Sequence, residues 1–120
     1  MRATLFFAHG SRDSAWRGCV DKVVERALEL DPGAVVGCAF LELMQPDLKS
    51  AVSRLHDLGA TEIVILPLFL GLGKHAREDT PKLVAKLASA YPGLRLVLKR
   101  SVGEEPEVID LLAKMALLHP

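Results

Sequence analysis

Apolar residues follow two alternating patterns along the chain, and these patterns predict strands and helices in turn. Short continuous apolar runs bounded by Gly, Pro or Asp are typical of buried strands, whereas apolar residues spaced three and four apart are typical of helices. The short runs predict strands at residues 4–9, 34–41, 62–69 and 94–99. A helical stripe follows each strand, and the four stripes begin near residues 13, 46, 80 and 105.

Capping residues and prolines set the expected helix boundaries. Asp13 or Ser14 is a suitable N-cap for the first helix, and Pro46 suits the first turn of the second. Thr80 and Pro81 are expected to open the third helix. The first helix is expected to bury a stripe made of Trp16, Val20, Val23, Val24, Ala27 and Leu28. The last helix is expected to turn inward a stripe made of Val108, Leu111, Leu112 and Met115.

Four strand–helix repeats predict an α/β fold with a parallel sheet and helices on both faces. The first and third strands are the most apolar, as strands buried on both faces are. The fourth strand carries Arg95 and Lys99 and is expected at an edge. Right-handed crossovers then favour the flavodoxin-like strand order 2-1-3-4 in a single domain covering residues 1–120.

Composition excludes several classes of partner. The chain has 120 residues, 15 basic and 15 acidic, and is 50% hydrophobic, which is the balance of an ordinary soluble domain. Without a basic excess, binding to nucleic acid is not expected. No apolar run approaches the roughly 20 residues that cross a bilayer, so no membrane association is expected. Cys19 and Cys38 lack metal-ligand or redox spacing, and we interpret them as reduced, buried residues of a cytoplasmic protein.

The connection between the third strand and the third helix, residues 70–79, is long for so small a domain. Loops of this length in compact domains are usually functional. Its glycines, Gly71 and Gly73, do not continue into a dinucleotide-binding fingerprint, and no helix is expected to follow at once. Lys74 is followed by His75 rather than by Ser or Thr, so the loop is not a Walker motif. No nucleotide cofactor is therefore expected.

Three candidate metal ligands follow the first three strands. His9 ends the first strand, Glu42 follows the second, and His75 lies in the long loop after the third. Ligands of open parallel sheets bind outside the carboxyl ends of the strands, where the strand order reverses. Two imidazoles and a carboxylate suit a divalent transition metal. Each of these three residues alone could instead be a structural hydrogen-bonding group or a solvated side chain. The other two histidines, His56 and His119, are expected at the surface.

The long loop also provides an apolar wall with cationic neighbours. Leu68 and Phe69 are expected to pack beneath it, whereas Leu70 and Leu72, flanked by glycines, could face a flat apolar ligand. The cations Arg12, Lys74 and Arg77 could bind carboxylates, although each alone is more often a solvated surface charge. Together with the imidazoles, these features indicate a pocket for an acidic macrocycle and a metal.

Three segments of the chain resemble the motifs of the class II tetrapyrrole chelatases, in particular the short form of the sirohydrochlorin cobaltochelatases. The segments are Ala8-His-Gly-Ser-Arg-Asp13, Ala39-Phe-Leu-Glu-Leu43 with Pro46, and Leu66-Pro-Leu-Phe-Leu-Gly-Leu-Gly-Lys-His75. The combination of the first and third segments is fairly specific to this family, whereas either segment alone is weak evidence for it. The resemblance runs from the first strand through the third helix.

The resemblance implies insertion of Co2+ into sirohydrochlorin without a nucleotide. It implies that His9 and His75 bind the incoming metal, that His9 accepts the pyrrole protons, and that Glu42 assists near the metal. The implied macrocycle contacts are Ser11, Arg12, Gln45, Leu70, Gly71, Leu72, Gly73 and Lys74. Longer relatives carry two such domains, so one domain implies a homodimer with the cleft between its subunits.

Other interpretations remain open at this stage. The metal could be iron, in the sirohaem branch, or nickel, in the coenzyme F430 branch, because the ligand types do not separate neighbours in the Irving–Williams series. A protein that binds or delivers metal without catalysis would use the same histidines. A His-dependent phosphotransferase would require an Arg immediately before the His-Gly pair, where this chain has Ala8.

Overall fold

The predicted strands form one parallel sheet in the computed structural model, which describes residues 1–118. The strands are β1 (Arg2–Ala8), β2 (Val35–Phe40), β3 (Glu62–Pro67) and β4 (Arg95–Leu98). Their order is β2-β1-β3-β4, which confirms the predicted order and places β4 at an edge. The order reverses between β1 and β3, so the carboxyl ends of these two strands mark the switch point.

The helices are α1 (Gly18–Leu30), α2 (Leu48–Asp57), α3 (Lys74–Ala90) and α4 (Pro106–Leu117). Short 3-10 helices, Ser14–Arg17 and Val102–Glu104, precede α1 and α4. Asp13 caps the first of these 3-10 helices, because its carboxylate accepts the Ala15 N–H at 3.0 Å, whereas α1 itself begins later than predicted, with Arg17 at its N-cap.

The sheet separates two apolar layers of unequal size. Leu5 and Phe7 of β1 contribute to the larger layer, where α2 packs over β1 and β2 and α3 packs over β4. Ala8 and Phe40 contribute to the smaller layer with Val20 of α1. Because side chains alternate along a strand, β1 supplies buried residues to both layers. This burial on both faces holds the carboxyl end of β1 in place.

The second helix begins later than the sequence predicts. Pro46 lies before α2, and Asp47 is the N-cap, accepting the Ser50 N–H at 2.8 Å. Hydrogen bonds from Ser50, from its side chain and then from its backbone N–H, lower the pKa of Asp47 below its ordinary value. The carboxylate therefore satisfies one of the free N–H groups that every helix start leaves.

The predicted boundary of the third helix is wrong. α3 begins at Lys74, directly after Gly73, and Pro81 lies inside the helix. The Arg77 N–H already donates to the Gly73 carbonyl oxygen at 3.0 Å, so the first turn is formed well before Pro81. The buried stripe of Val84 and Leu87 continues back to Thr80. The connection after β3 is therefore shorter than predicted, and a helix does follow the glycine pair.

The inward face predicted for the fourth helix is also wrong. Leu111, Leu112 and Met115 are exposed at 56%, 43% and 63% of their surfaces, and no residue of α4 is buried. The α1 stripe is only partly confirmed, since Val20 is buried but Val23 is exposed. Within residues 1–118, α1 is the one long helix that contributes to the smaller apolar layer.

Other expectations concern membrane spans, the two cysteines and the remaining histidines. Among residues 1–118, no helix is long and apolar enough to cross a membrane. Cys19 is exposed and Cys38 is half-buried, so the interpretation of both as buried was wrong for Cys19. His56 is exposed, as expected, and its ring lies 4.6 Å from that of Tyr91; His119 lies outside the described residues.

Candidate metal-binding site

The backbone after β1 and β2 brings His9 and Glu42 together. Hydrogen bonding between the two strands continues past their ends, because the Glu42 N–H donates to the His9 carbonyl oxygen at 3.1 Å. Gly10 follows with φ of +101°, and a Cβ there would lie 1.8 Å from the Glu42 carbonyl oxygen. Only glycine fits both the left-handed conformation and this close approach. The Gly10 turn therefore sets the position of Glu42 relative to His9.

A strained turn follows on the Glu42 side. Leu43 adopts φ of 65°, although it is not glycine, and the Met44 N–H donates to the Glu42 carbonyl oxygen at 2.8 Å. A left-handed conformation costs a residue with a Cβ about 1–2 kcal/mol. Such strain clusters at functional sites, where the surrounding structure maintains it.

The His9 and Glu42 side chains form one polar pair at the rim of the sheet. His9 Nε2 lies 3.0 Å from Glu42 Oε1, and both side chains are about half exposed, at 55% and 54%. An ionised carboxylate only accepts hydrogen bonds, so His9 Nε2 carries the proton in this contact. In neutral His9 the free lone pair is then on Nδ1. The pair thus resembles the carboxylate–histidine arrangement that orients metal ligands.

An aromatic stack supports the pair from the β3 side. The Phe69 ring meets the His9 ring edge to face, with centroids 6.4 Å apart, and the Phe7 ring in the same manner at 5.7 Å. The chain after β3 remains attached to β1, because the Leu68 N–H donates to the Phe7 carbonyl oxygen at 2.8 Å. Phe69 is buried, as expected, and forms the apolar base of the rim next to His9.

The segment after Phe69 contacts the 3-10 helix that precedes α4. The Gly103 N–H donates to the Phe69 carbonyl oxygen at 3.0 Å. A Cβ on Gly103 would lie 1.8 Å from the carbonyl oxygen of Leu70, so the two backbones are in direct contact. Leu70 itself is 70% exposed, whereas Leu72 is half-buried against the larger core. The loop is therefore supported from below while Leu70 faces outward.

His75 lies in the first turn of α3 and is exposed. Gly73 provides no side-chain cap, which leaves the first N–H groups of the helix free of a capping side chain. Lys74 and Arg77 in this turn are exposed as well. Within residues 1–118, no group of three or more His, Cys, Asp or Glu side chains could hold a metal ion. Pairing of His75 with His9 on one ion therefore stays a prediction.

The remaining predicted site residues lie in the loops after β1 and β2. Ser11 Oγ accepts the Asp13 N–H at 3.0 Å and is half-buried. Arg12 and Gln45 are exposed, and the Gln45 carbonyl oxygen accepts a long hydrogen bond from Arg17 at 3.5 Å. These loops border the same edge of the sheet as His9.

Cavities near the rim are small and open. One of 250 Å³ is lined by Gly71, Leu72, Arg77, Ser101 and Glu104. Pockets that enclose drug-sized ligands have about 300–1,000 Å³, so this cavity is too small for a macrocycle. A larger depression of 680 Å³ lies over α2 and Tyr91 and includes none of the predicted site residues. Neither of these two cavities is therefore an enclosed pocket for a macrocycle at this rim.

Sequence reasoning missed three residues that build the site. Gly10 stood inside a quoted motif, but its contact with Glu42 requires the pairing of β1 with β2. The sequence predicts that Phe69 packs beneath the loop but does not indicate that its ring also meets the His9 ring. Gly103 lies 30 residues beyond the loop it supports, and no local pattern marks it.

Comparisons with known proteins agree on one family. The CbiX family model matches residues 3–117. The sirohydrochlorin cobaltochelatase of Methanopyrus kandleri is 34% identical over 84 residues, which cover 70% of this chain and 59% of that protein. The sirohydrochlorin ferrochelatase of Bacillus subtilis is 30% identical over 115 residues, which cover 90% of this chain but only 41% of that protein.

A solved structure extends the agreement to the whole fold. A CbiX protein from Marinobacter aquaeolei VT8 superposes with a TM-score of 0.80 and 28% identity, covering 98% of each chain. Some relatives are thus matched along their full length, whereas this chain spans about half the length of the curated relatives above. The family match over residues 3–117 carries the conclusion that the chain belongs to the CbiX family.

Proposed function

We propose that this protein inserts Co2+ into sirohydrochlorin without consuming a nucleotide. The observation that carries the proposal is the contact of His9 with Glu42 at the switch point of the sheet, in a chain of the CbiX family. Insertion requires the metal to shed water and the macrocycle to lose two N–H protons. A neutral imidazole serves both needs, since it binds divalent metals and accepts protons near neutral pH.

Glu42 defines which nitrogen of His9 is available. Because the carboxylate accepts the Nε2 proton, Nδ1 carries the lone pair that binds the metal or accepts a pyrrole proton. The negative charge of Glu42 also stabilises the imidazolium that forms when His9 accepts a proton. Glu42 is then a positioning group for His9, and His75 is the second ligand to the metal.

Cationic and polar groups around the rim suit an acidic macrocycle. Lys74, Arg77 and the free N–H groups at the start of α3 favour carboxylates, since a helix N-terminus carries partial positive charge. Arg12 extends this charge to the β1 side. The remaining contacts to the macrocycle come from Ser11, Gln45, Leu70, Gly71, Leu72 and Gly73.

A homodimer completes the site in this proposal. The cavity at the rim measures only 250 Å³, and the exposed Leu70 offers one apolar wall without an opposing one. A macrocycle held between two copies would lose much more contact with water. Excluding water strengthens the electrostatic interactions that a site makes with its substrate.

The proposal names cobalt rather than iron as the metal that is inserted. The relatives above are named for cobalt in one case and for iron in the other. Imidazole and carboxylate ligands do not by themselves separate Co2+ from its neighbours Fe2+ and Ni2+ in the Irving–Williams series, so the proposal of cobalt rests on the relative that is named for it. Parallel assays with Co2+, Fe2+ and Ni2+ at equal free concentrations should give the fastest insertion with Co2+.

The proposal is tested by following the absorbance of sirohydrochlorin during metal insertion. Removing a general base typically costs about 10²–10⁴-fold in rate, so His9→Ala should lower turnover by that factor. Glu42→Gln keeps an acceptor oxygen but loses the negative charge. Its rate of metal insertion is expected to fall by about 10–100-fold, as it does when groups that orient metal ligands are removed. His56→Ala is the matched control, because His56 is an exposed histidine on α2.

Turnover by the His56→Ala variant should equal that of the wild type. Near-normal insertion by His9→Ala would contradict the proposal. So would a wild-type protein that binds Co2+ but does not accelerate insertion, since that result describes a metal-binding protein without catalysis.

A further inference from the structure

Leu43 lies at the centre of a strained turn next to the candidate site. Within residues 1–118 it is the only residue other than glycine with a positive φ, which is 65°. The Met44 N–H donates to the Glu42 carbonyl oxygen at 2.8 Å, and this hydrogen bond closes a turn of three residues. A γ-turn whose central residue has a positive φ is rare and strained. The strain thus lies one residue from the Glu42 side chain that contacts His9.

Backbone pairing on both sides maintains this turn. Before the turn, the Leu41 N–H donates to the Ala8 carbonyl oxygen at 2.9 Å, which continues the pairing of β1 with β2. After the turn, the Phe40 N–H donates to the Pro46 carbonyl oxygen, also at 2.9 Å. Strained conformations persist where the surrounding structure fixes them in this way. The shape of the turn is therefore set by the backbone on either side of it and not by the leucine side chain.

The turn itself does not require a leucine. Glycine and asparagine adopt a positive φ at a lower cost than residues with a branched or bulky side chain. Burial does not compensate for that cost. Leu41 packs against the larger apolar layer and Met44 against the smaller one, whereas Leu43 between them is 55% exposed. A leucine at this position is therefore better explained by binding than by folding.

A second exposed leucine lies on the other side of His9. The strand order β2-β1-β3 places the residues after β1, which include His9, between the residues that follow β2 and β3. Leu43 follows β2, and Leu70, which is 70% exposed, follows β3. The two leucines thus flank the His9–Glu42 pair at one edge of the sheet. Apolar side chains around a few polar groups are the usual lining of a ligand site.

We propose that Leu43 is a substrate-binding residue, whose side chain contacts the macrocycle on the β2 side of His9 while Leu70 contacts the same face on the β3 side. The inference rests on the proposed function and adds a specific contact to it. The strained turn holds the leucine outward at the rim, where a flat ring covers it. Covering about half of a leucine side chain favours binding by about 5–10-fold.

The first test compares stability with affinity in Leu43→Asn. Asparagine tolerates a positive φ, so the Tm in a thermal melt should rise by about 2–5 °C. The same variant should bind sirohydrochlorin about 5–10-fold more weakly, as measured without metal by equilibrium dialysis and the absorbance of the macrocycle. A lower Tm would show that Leu43 stabilises its own chain, and an unchanged affinity would show that the ring does not contact it. Each of these two results would overturn the proposal.

Two control variants separate the side chain from the turn. Leu43→Met keeps an unbranched apolar side chain in the same turn, so its Tm and its affinity for sirohydrochlorin should stay close to those of the wild type. Leu58→Asn replaces another exposed leucine, which is 61% exposed and has an ordinary helical φ of −76°. It should neither raise the Tm nor weaken binding. A loss of affinity in either control as large as in Leu43→Asn would overturn the proposal.

The mass of the protein by light scattering distinguishes the macrocycle from a second copy of the chain as the group that covers Leu43. The wild type and Leu43→Asn should have the same mass when sirohydrochlorin is absent. A lower mass for the variant would show that Leu43 faces a second copy, and this result would overturn the proposal.

The binding measurement does not depend on turnover. Weaker binding by Leu43→Asn in a protein that inserts no metal would reject the proposed function and leave the contact with the macrocycle intact. Equal binding by Leu43→Asn and the wild type, together with normal metal insertion, would reject the contact and leave the function intact.

Discussion

Replacing Gly10 by alanine perturbs the site through the backbone alone. Gly10 has φ of +101°, and alanine in that conformation costs about 1–2 kcal/mol. The new Cβ would also lie 1.8 Å from the Glu42 carbonyl oxygen, a distance that real Cβ atoms do not show. Relieving such overpacking typically costs a further 1–3 kcal/mol or so. Gly10→Ala should therefore lower the free energy of unfolding by about 2–5 kcal/mol.

The same clash moves Glu42 away from His9. A displacement of roughly 1 Å at a catalytic group costs about 10²-fold in rate, so metal insertion by Gly10→Ala should fall by about that factor. The assays are urea unfolding, for stability, and the absorbance change of sirohydrochlorin with Co2+, for turnover. Turnover is measured on the folded variant, at urea concentrations below its unfolding transition.

Gly59→Ala provides a matched control. Gly59 has φ of +100°, almost the same as Gly10, but a Cβ there meets nothing within 4 Å. Gly59→Ala should lose only the conformational term of about 1–2 kcal/mol and keep its rate of metal insertion. Equal rates for the two variants would refute the argument that the Gly10 contact positions Glu42.

Three further substitutions test the supports of the site and of α2. Gly103→Ala should displace the backbone after β3 and lower the rate of metal insertion by about 10-fold or more. Gly93→Ala is the control and should keep the rate, because a Cβ there meets nothing within 4 Å. Equal rates for the two variants would contradict the contact between Gly103 and the Leu70 backbone. Phe69→Ala should lower the free energy of unfolding by about 3–5 kcal/mol in urea, as buried aromatic truncations do, and a loss below about 1 kcal/mol would contradict its place in the core. Asp47→Ala should cost about 1 kcal/mol at pH 7 through loss of the cap. Because the pKa of Asp47 is lowered in the folded state, its contribution to the free energy of unfolding is present above the ordinary pKa of 3.8 and disappears as the pH falls through the folded pKa. Urea unfolding at several pH values should therefore show the difference in stability between Asp47→Ala and the wild type narrowing only in acid.

Much of the fold could be predicted because its strands are continuous apolar runs. A strand buried on both faces, such as β1, has few polar positions to obscure it, and parallel strands leave few possible orders. The same reasoning predicted that His9, Glu42 and His75 lie at one rim, because the carboxyl ends of parallel strands share one edge. In the structure His9 Nε2 lies 3.0 Å from Glu42 Oε1, whereas the pairing of His9 with His75 stays a prediction.

The errors arise where a local signal competes with tertiary structure. Thr80 and Pro81 look like a helix start, but the helix begins earlier, after Gly73, where no capping side chain marks it. The stripe on α4 does have helical spacing, yet spacing cannot tell whether the covering surface belongs to the same chain. The contact of Gly103 with Leu70 joins distant parts of the chain and leaves no sequence pattern.

The central claim is that His9 and His75 bind one metal ion at the rim of the sheet. The most direct measurement is a titration of Co2+ followed by its visible absorption in the wild type, in His9→Ala and in His75→Ala. We expect one saturable spectrum for the wild type, at least about 10-fold weaker binding in each variant, and a combined loss that differs from the product of the two single losses because the histidines share one ion. Binding of Co2+ with unchanged affinity and spectrum in either variant would contradict it.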